Sequence, residues 1–144
     1  MAMYNCKILI VLVFPLFGFT CVSKKMRSSF IEVYNQLPAN VYCVPSFEYP
    51  DTSLTFTNKE KILANDNIYY VNSLGVKKLF YLDLCKKETW QRLISADTLQ
   101  VFVFDEQKIK ECRWDDIKKG KIYLKRLVYS YGDIVNNGCK ITVK

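Results

Sequence analysis

Cysteine is the residue type in this chain with the widest choice of chemistry. The sequence holds six cysteines and no histidine. No pair has the C-x-x-C spacing, and a zinc site would need four ligands from scattered elements, so no metal site is predicted. In an oxidising compartment, four of the cysteines could form disulfides in three connectivities. The sequence favours four buried thiols over a bridge, because these residues fall on apolar faces of predicted elements; they are Cys43, Cys85, Cys112 and Cys139.

The chain contains few side chains that could act in catalysis. Without histidine the usual general base near neutral pH is missing, which excludes Ser-His-Asp and Cys-His catalysis. There is also no glycine-rich phosphate loop. Carboxylates could serve a glycosidase-like pair, but Asp105-Glu106 and Asp115-Asp116 are adjacent in sequence and are typical of capping or solvated groups. We therefore predict no enzymatic activity and no cofactor.

The remaining chemical candidate is Cys21, which follows an apolar run. The stretch Ile8–Thr20 comes after the single charge of Lys7 and is shorter than the ~20 residues that a membrane span needs. A short apolar run with a basic start is typical of a signal peptide. Gly18 is small, as a lipoprotein signal requires, whereas Phe19 is not. We predict a signal peptide over 1–20, lipidation of Cys21 and a tether over 21–29, with an uncleaved anchor or a buried cytosolic strand as the alternatives.

The body of the chain is rich in β-branched and aromatic residues, which favours strands. The stretches 30–35 and 41–47 are predicted to pair as a hairpin, with Pro45 marking a sheet edge. Further strands are expected over 68–71, 121–129 and 139–143, the second with a β-bulge near Lys125-Arg126. Residues 99–104 are apolar on nearly both faces, which predicts a central strand covered on both sides.

Helical spacing appears in three places. Residues 80–94 carry an amphipathic pattern that begins near Asp83 and contains Trp90 as a core residue. A second helix is predicted over 107–117, after an N-cap at Asp105. Ser130 is expected to cap a single turn over 131–136, and residues 55–66 are predicted to be a loop.

Together these elements predict one β-rich domain over 30–144. The expected fold is mainly β, bordering on α+β. It is an antiparallel β-sandwich of roughly seven strands, Ig-like in size, with two short helices and one single-turn helix in the connections. An α+β layout with both helices on one sheet face is the alternative.

The chain is basic, with a formal net charge of +7 at pH 7. Its lysines and arginines occur as separate pairs with acidic residues between them, such as Lys77-Lys78 and Lys118-Lys119. This pattern is typical of a solvated surface, and no nucleic-acid partner is predicted.

A series of short motifs follows the leader: Asn35, Tyr49-Pro50-Asp51-Thr52-Ser53-Leu54, Trp90, Asp97-Thr98-Leu99, Val101-Phe102-Val103-Phe104-Asp105, Trp114 with Ile117, Leu124-Lys125-Arg126 and Asp133-Ile134. Their order resembles that of small uncharacterised lipoproteins of Bacteroidales over roughly residues 21–144. The similarity implies a lipid-anchored cell-envelope protein without established activity. Lys24-Lys25 follows Cys21 where surface-exported members carry acidic residues, which favours a periplasm-facing anchor.

Three functional hypotheses follow. The leading one is a non-enzymatic domain, anchored to the membrane through Cys21, that binds or scaffolds an envelope protein or glycan. The second is an enzyme that uses carboxylates on an envelope glycan, which requires a carboxylate pair in one cleft. The third is a basic module for anionic lipid or polysaccharide, which requires Lys and Arg to converge on one face.

Overall fold

Two β-sheets and short helices make up the described chain. The computed structural model describes residues 30–79, 83–94 and 96–144, so the predicted signal peptide, Cys21 and the tether lie outside the described residues. The strands are β1 (Ile31–Asn35), β2 (Val41–Ser46), β3 (Tyr70–Val71), β4 (Val76–Leu79), β5 (Thr98–Asp105), β6 (Lys125–Ser130) and β7 (Lys140–Val143). The helices are α1 (Lys59–Ala64), α2 (Asp66–Tyr69), α3 (Lys87–Leu93), α4 (Glu106–Glu111), α5 (Trp114–Gly120) and α6 (Tyr131–Asn136).

The strands are divided between a four-stranded and a three-stranded sheet. The four-stranded sheet has the order β3-β2-β5-β6, with antiparallel pairing throughout. The three-stranded sheet has the order β4-β1-β7, in which β1 is antiparallel to β4 and parallel to β7. The predicted mainly β fold with a sandwich-like arrangement is confirmed, although helices occupy more of the connections than expected.

Strand β5 lies at the centre of the four-stranded sheet and separates two cores. Because alternate side chains point to opposite faces of a strand, Leu99, Val101 and Val103 enter one core, while Phe102 and Phe104 enter the other. The first core also takes side chains from both sheets, from α3 and from α6. The second core lies against the helical side, where α1, α4 and α5 supply buried isoleucines. The predicted central, doubly covered strand is thus confirmed.

The predicted hairpin of the first two strands is wrong. Strand β1 belongs to the three-stranded sheet and β2 to the four-stranded sheet, so they face each other instead of pairing. Both strands have an apolar inner face, represented by Val33 and Cys43, and both faces are buried in the first core. At the Pro45 position the prediction of an edge fits locally, because the partner strand β3 reaches only Val41 and Tyr42.

Asn35 holds the turn that carries the chain between the sheets. Its side chain is 2% exposed. It donates hydrogen bonds to the carbonyl oxygens of Ala39 at 2.8 Å and Asn72 at 2.9 Å, and it accepts one from the Leu37 amide at 3.0 Å. One amide group therefore ties the β1–β2 loop to the loop before β4.

Replacing Asn35 with alanine is expected to lower the free energy of unfolding by about 1–3 kcal/mol, because three backbone groups lose a partner at a buried site. Urea unfolding followed by circular dichroism measures this loss. Asn136→Ala, at an exposed position of α6, is the matched control and should change stability by less than ~0.5 kcal/mol. Equal effects of the two variants would contradict this role of Asn35.

The helices differ from prediction at their ends. The predicted loop over 55–66 contains α1, whose N-cap Asn58 accepts a hydrogen bond from the Lys61 amide. Helix α3 begins at Lys87 instead of near Asp83. The predicted helix over 107–117 is two helices, because Cys112 and Arg113 adopt extended backbone angles between α4 and α5.

Several local predictions are confirmed. Asp105 caps α4 by accepting from the Lys108 amide at 3.0 Å. Ser130 and Asp133 form a capping box at the start of α6. Trp90 is fully buried in the first core.

The β-bulge predicted near Lys125-Arg126 is wrong, because β6 pairs with β5 in continuous register from Lys125 to Ser130. The change of apolar phase arises before the strand. Ile122 precedes β6 and packs on the second core, whereas Leu127 within β6 packs on the first core. The expected strand over 68–71 is also shorter, since only Tyr70–Val71 is extended.

Candidate functional site

A cavity of about 510 Å³ lies beside α3 and α6. Its volume falls within the range of about 300–1,000 Å³ that is usual for small-ligand sites. The walls come from α3, from the turn before β5 and from the start of α6. The lining side chains include Lys87, Trp90, Gln91, Ile94, Asp97 and Tyr131.

Hydrogen bonds and ring contacts fix the inner wall of this cavity. The indole Nε1 of Trp90 donates to Oδ1 of Asp97 at 2.7 Å. The rings of Trp90 and Tyr131 meet edge to face, with their centroids 5.5 Å apart. The Tyr131 hydroxyl donates to the carbonyl oxygen of Cys85 at 3.3 Å. An aromatic pair and a carboxylate are thus held by contacts with one another, and the Cys85 carbonyl holds Tyr131 from outside the lining.

Asp97 also has an unusual backbone. Its φ angle is 50°, in the left-handed region that non-glycine residues seldom adopt and that Asp tolerates better than most. Residues in such conformations cluster at functional sites, where the surrounding structure holds them. Here the indole of Trp90 holds the side chain of Asp97.

The lining groups can bind a ligand that carries both hydroxyl groups and an apolar face. Gln91 offers an amide donor and acceptor, Lys87 an ammonium donor and Asp97 a carboxylate acceptor. The half-buried ring of Tyr131 adds aromatic surface, whereas Trp90 and Ile94, at 0% and 2% exposure, form the closed inner wall. In the part of the chain that the structure describes, no group of three potential metal ligands occurs.

A disulfide joins Cys85 and Cys139, close to the cavity residue Tyr131. It joins the segment before α3 to the residue before β7, with a Cα–Cα distance of 6.1 Å. The expectation of four separate buried thiols is therefore wrong for this pair. Helical spacing suggested that Cys85 lies on an apolar helix face, but α3 begins only at Lys87. The carbonyl of Cys85 accepts from Tyr131, so the disulfide braces the cavity.

The other two predicted cysteines are free thiols. Cys43 is fully buried on β2, and burial raises the pKa of its thiol to about 12. Such a thiol stays protonated and unreactive at neutral pH. Cys112 is half-buried between α4 and α5. Neither thiol lines the cavity described above.

The adjacent carboxylates have the capping and surface positions that the sequence favours for them. Asp105 caps α4, and Glu106 accepts from Asn40 at 2.8 Å and from Lys110 at 2.6 Å. Asp115 and Asp116 lie in the first turn of α5. These arrangements are structural.

Two carboxylates distant in sequence do come together around a tyrosine pair. Tyr42 donates to Asp66 at 2.8 Å, and Tyr70 donates to Glu106 at 3.3 Å. Burial, followed by the nearby carboxylates, raises the pKa of both tyrosine hydroxyls. Hydrogen bonds from Lys110 and then Asn40 lower the pKa of Glu106. A glycosidase acid needs a raised pKa, so Glu106 has the opposite tendency.

The lowered pKa of Glu106 makes an acid-dependent contribution to stability. Because the folded state favours the ionised carboxylate, the contribution is present above the ordinary pKa of 4.5 and is lost as the pH falls through the lower folded-state value. We expect Glu106→Gln to reduce the loss of stability between pH 6 and acid pH, as measured by urea unfolding. Glu60→Gln, on the exposed surface of α1, is the control; an equal reduction there would contradict the role of Glu106.

The basic residues lie on several elements. Lys78 and Lys140 flank Glu32 across the three-stranded sheet. Others lie on α4, as Lys108 does, and at the end of α5, as Lys119 does. This spread gives little support to a single strongly basic face.

No helix in residues 30–79, 83–94 and 96–144 is long and apolar enough to cross a membrane. The chain matches no protein-family model, no curated protein and no solved structure. The cavity beside α3 is therefore identified as the candidate site from its geometry alone. The Cys85–Cys139 disulfide lies next to it.

Proposed function

We propose that this protein is a non-enzymatic, lipid-anchored domain of the bacterial cell envelope that binds a saccharide unit in the cavity beside α3. The observation that carries the proposal is the lining of the cavity. It combines aromatic surface with an amide, an ammonium and a carboxylate in a volume of about 510 Å³. Sugars present hydroxyl groups at the ring edge and C–H groups on the ring face, so both kinds of surface have a partner here.

The disulfide supports a location outside the cytoplasm. Structural disulfides persist mainly in oxidising compartments, and Cys85–Cys139 links two segments that are 54 residues apart. The apolar run before Cys21 and the resemblance to Bacteroidales lipoproteins support the same address. Lys24-Lys25 favours an anchor that faces the periplasm.

Hydrolysis of the bound glycan has little support. A glycosidase needs two carboxyl groups about 5–10 Å apart, whereas Asp97 is the single carboxylate among the described lining residues. Its Oδ1 accepts from the Trp90 indole. These features favour binding over turnover.

Binding is tested with the indole N–H signals of the full chain, because the protein has two tryptophans. Titration with neutral mono- and disaccharides is expected to shift the Trp90 signal, while Trp114, which packs on the second core, stays unchanged. Gln91→Ala should weaken binding, and Arg92→Ala, the exposed neighbour that does not line the cavity, should not. An unmoved Trp90 signal with every sugar, or equal effects of the two variants, would remove the proposal.

The proposed lipid anchor and envelope location are tested separately, by mass spectrometry of the mature N-terminus. An acylated Cys21 is the expected result. An intact Met1 in a cytosolic protein would overturn the envelope assignment and leave the cavity proposal standing.

A further inference from the structure

Gln100 is a buried polar residue within the most apolar strand of the chain. It is 0% exposed and interrupts the run between Leu99 and Val101 on β5. A buried amide costs free energy unless its donor and acceptor both find partners. Gln100 finds both: its Nε2 donates to the carbonyl oxygen of Asp51 at 3.1 Å, and its Oε1 accepts from Nε of Arg126 at 2.6 Å.

These two bonds hold an arginine in a fixed position at the sheet surface. Arg126 lies on β6, the edge strand beside β5. Gln100 engages its Nε, and the guanidinium carbon lies 5.6 Å from the centre of the Tyr49 ring. The side chain is therefore held from below by an amide and from one side by an aromatic ring, which orients the guanidinium plane.

The outer part of this guanidinium is available for a ligand. Among residues 30–79, 83–94 and 96–144, the one hydrogen bond of Arg126 is that to Gln100, so its terminal NH₂ groups have no protein acceptor. The nearby Asp51 carboxylate accepts from the amide and the hydroxyl of Ser53, each at 2.7 Å, and in the described residues no hydrogen bond or ion pair joins it to Arg126. A planar fork with free parallel N–H groups is the arrangement that binds a carboxylate through two hydrogen bonds.

The surroundings of Arg126 favour a carboxylate on a sugar. Tyr49 and Val128 are exposed beside it, at 38% and 44%, and supply surface for an apolar ring face. Lys125 alternates to the opposite face of the strand, so no second cation joins Arg126 from β6. One guanidinium balances the single negative charge of a carboxylate, whereas a phosphate monoester carries a charge of about −1.5 to −2 at pH 7.

We infer that Arg126, positioned by Gln100 and Tyr49, is the recognition residue of a second binding site that takes a carboxylate-bearing saccharide. The site lies on the second-core side of the four-stranded sheet, whereas the cavity lining residues Trp90 and Ile94 pack on the first-core side. The inference therefore does not depend on the cavity. Arg126 binds the ligand directly, and Gln100 is a positioning residue.

The test is a calorimetric titration of the full chain in detergent with trigalacturonic acid. Arg126→Gln is expected to weaken binding about tenfold or more, because a charge-assisted bidentate contact is lost. Arg126→Lys should lose most of the same affinity, since an ammonium cannot reproduce the planar fork. Lys125→Gln removes an equal charge at the neighbouring exposed position and should leave binding unchanged.

Three results would overturn the inference. They are absence of trigalacturonate binding, equal binding of the neutral galactose trimer, and equal weakening by Lys125→Gln. If inorganic phosphate competes more strongly than free galacturonate, the ligand class is a phosphate-like oxyanion and not a carboxylate. That outcome also contradicts the inference. Circular dichroism of each variant separates loss of binding from loss of fold.

Discussion

Replacing both Cys85 and Cys139 with serine is expected to lower the free energy of unfolding by about 4 kcal/mol. The bond closes a loop with a sequence separation of 54 residues, and the loop-entropy relation gives a value of about this size for a loop of that length. Urea unfolding of the oxidised wild type and of the double variant measures the difference. Reduced wild type should unfold at the same urea concentration as the double variant.

The matched control is Cys112→Ser, because Cys112 is a half-buried free thiol. This variant should leave stability within ~0.5 kcal/mol of wild type. Peptide mapping after alkylation of the denatured, unreduced chain should modify Cys43 and Cys112 and spare Cys85 and Cys139. Alkylation of all four residues without reductant would show that the bridge is absent.

Loss of the disulfide should also weaken ligand binding in the cavity. The carbonyl oxygen of Cys85 accepts from the Tyr131 hydroxyl, and Tyr131 lines the cavity. Without the bridge, the segment before α3 is fixed less firmly to the start of β7. The Trp90 indole titration measures this effect on the same double variant.

Local signals predicted much of the secondary structure. The run Leu99–Phe104 combines β-branched and aromatic residues on both faces, and a strand of that kind can only lie at the centre of a covered sheet. Asp105 and Ser130 cap the helices that follow them because a side-chain oxygen there can accept from an amide three residues on. These outcomes depend on neighbours in sequence.

Pairing between distant segments was not predictable. Strand β4 was not predicted, because Lys77 and Lys78 make up half of its four residues and the segment shows no alternation of apolar and polar residues. The parallel pairing of β1 with β7 joins the two ends of the described domain, and no turn between them indicates it. The hairpin prediction failed because an apolar inner face is satisfied equally well by facing across a sandwich as by pairing within one sheet.

In the candidate sites, too, local sequence indicated individual residues, whereas their contacts depend on distant segments. Trp90 was predicted as a core residue, but its contacts with Asp97 and Tyr131 depend on the positions of β5 and α6. Gln100 carried a readable signal, since an amide within a fully apolar strand demands partners. The identity of those partners, Asp51 and Arg126, required the pairing of β5 with β6.

Trp90→Ala is expected to be the most destabilising single substitution at the cavity, with a loss of about 3–5 kcal/mol in the free energy of unfolding. Trp90 is among the largest fully buried side chains and fills the first core between α3 and α6. Its removal leaves a void and deprives Asp97 of the indole donor. Urea unfolding measures the loss, with Trp114→Ala, at a half-buried position, as the control.

Trp90→Phe separates packing from hydrogen bonding at the same position. Phenylalanine keeps most of the apolar volume and loses the N–H group, so the loss should fall to about 1–3 kcal/mol, from the smaller ring and the missing hydrogen bond to the exposed Asp97. Because Asp97 has a φ angle of 50°, its side chain should then lose the contact that holds it in the cavity wall, and sugar affinity should fall more than stability does. Unchanged affinity in Trp90→Phe would show that the indole serves the core alone and that Asp97 is oriented without it.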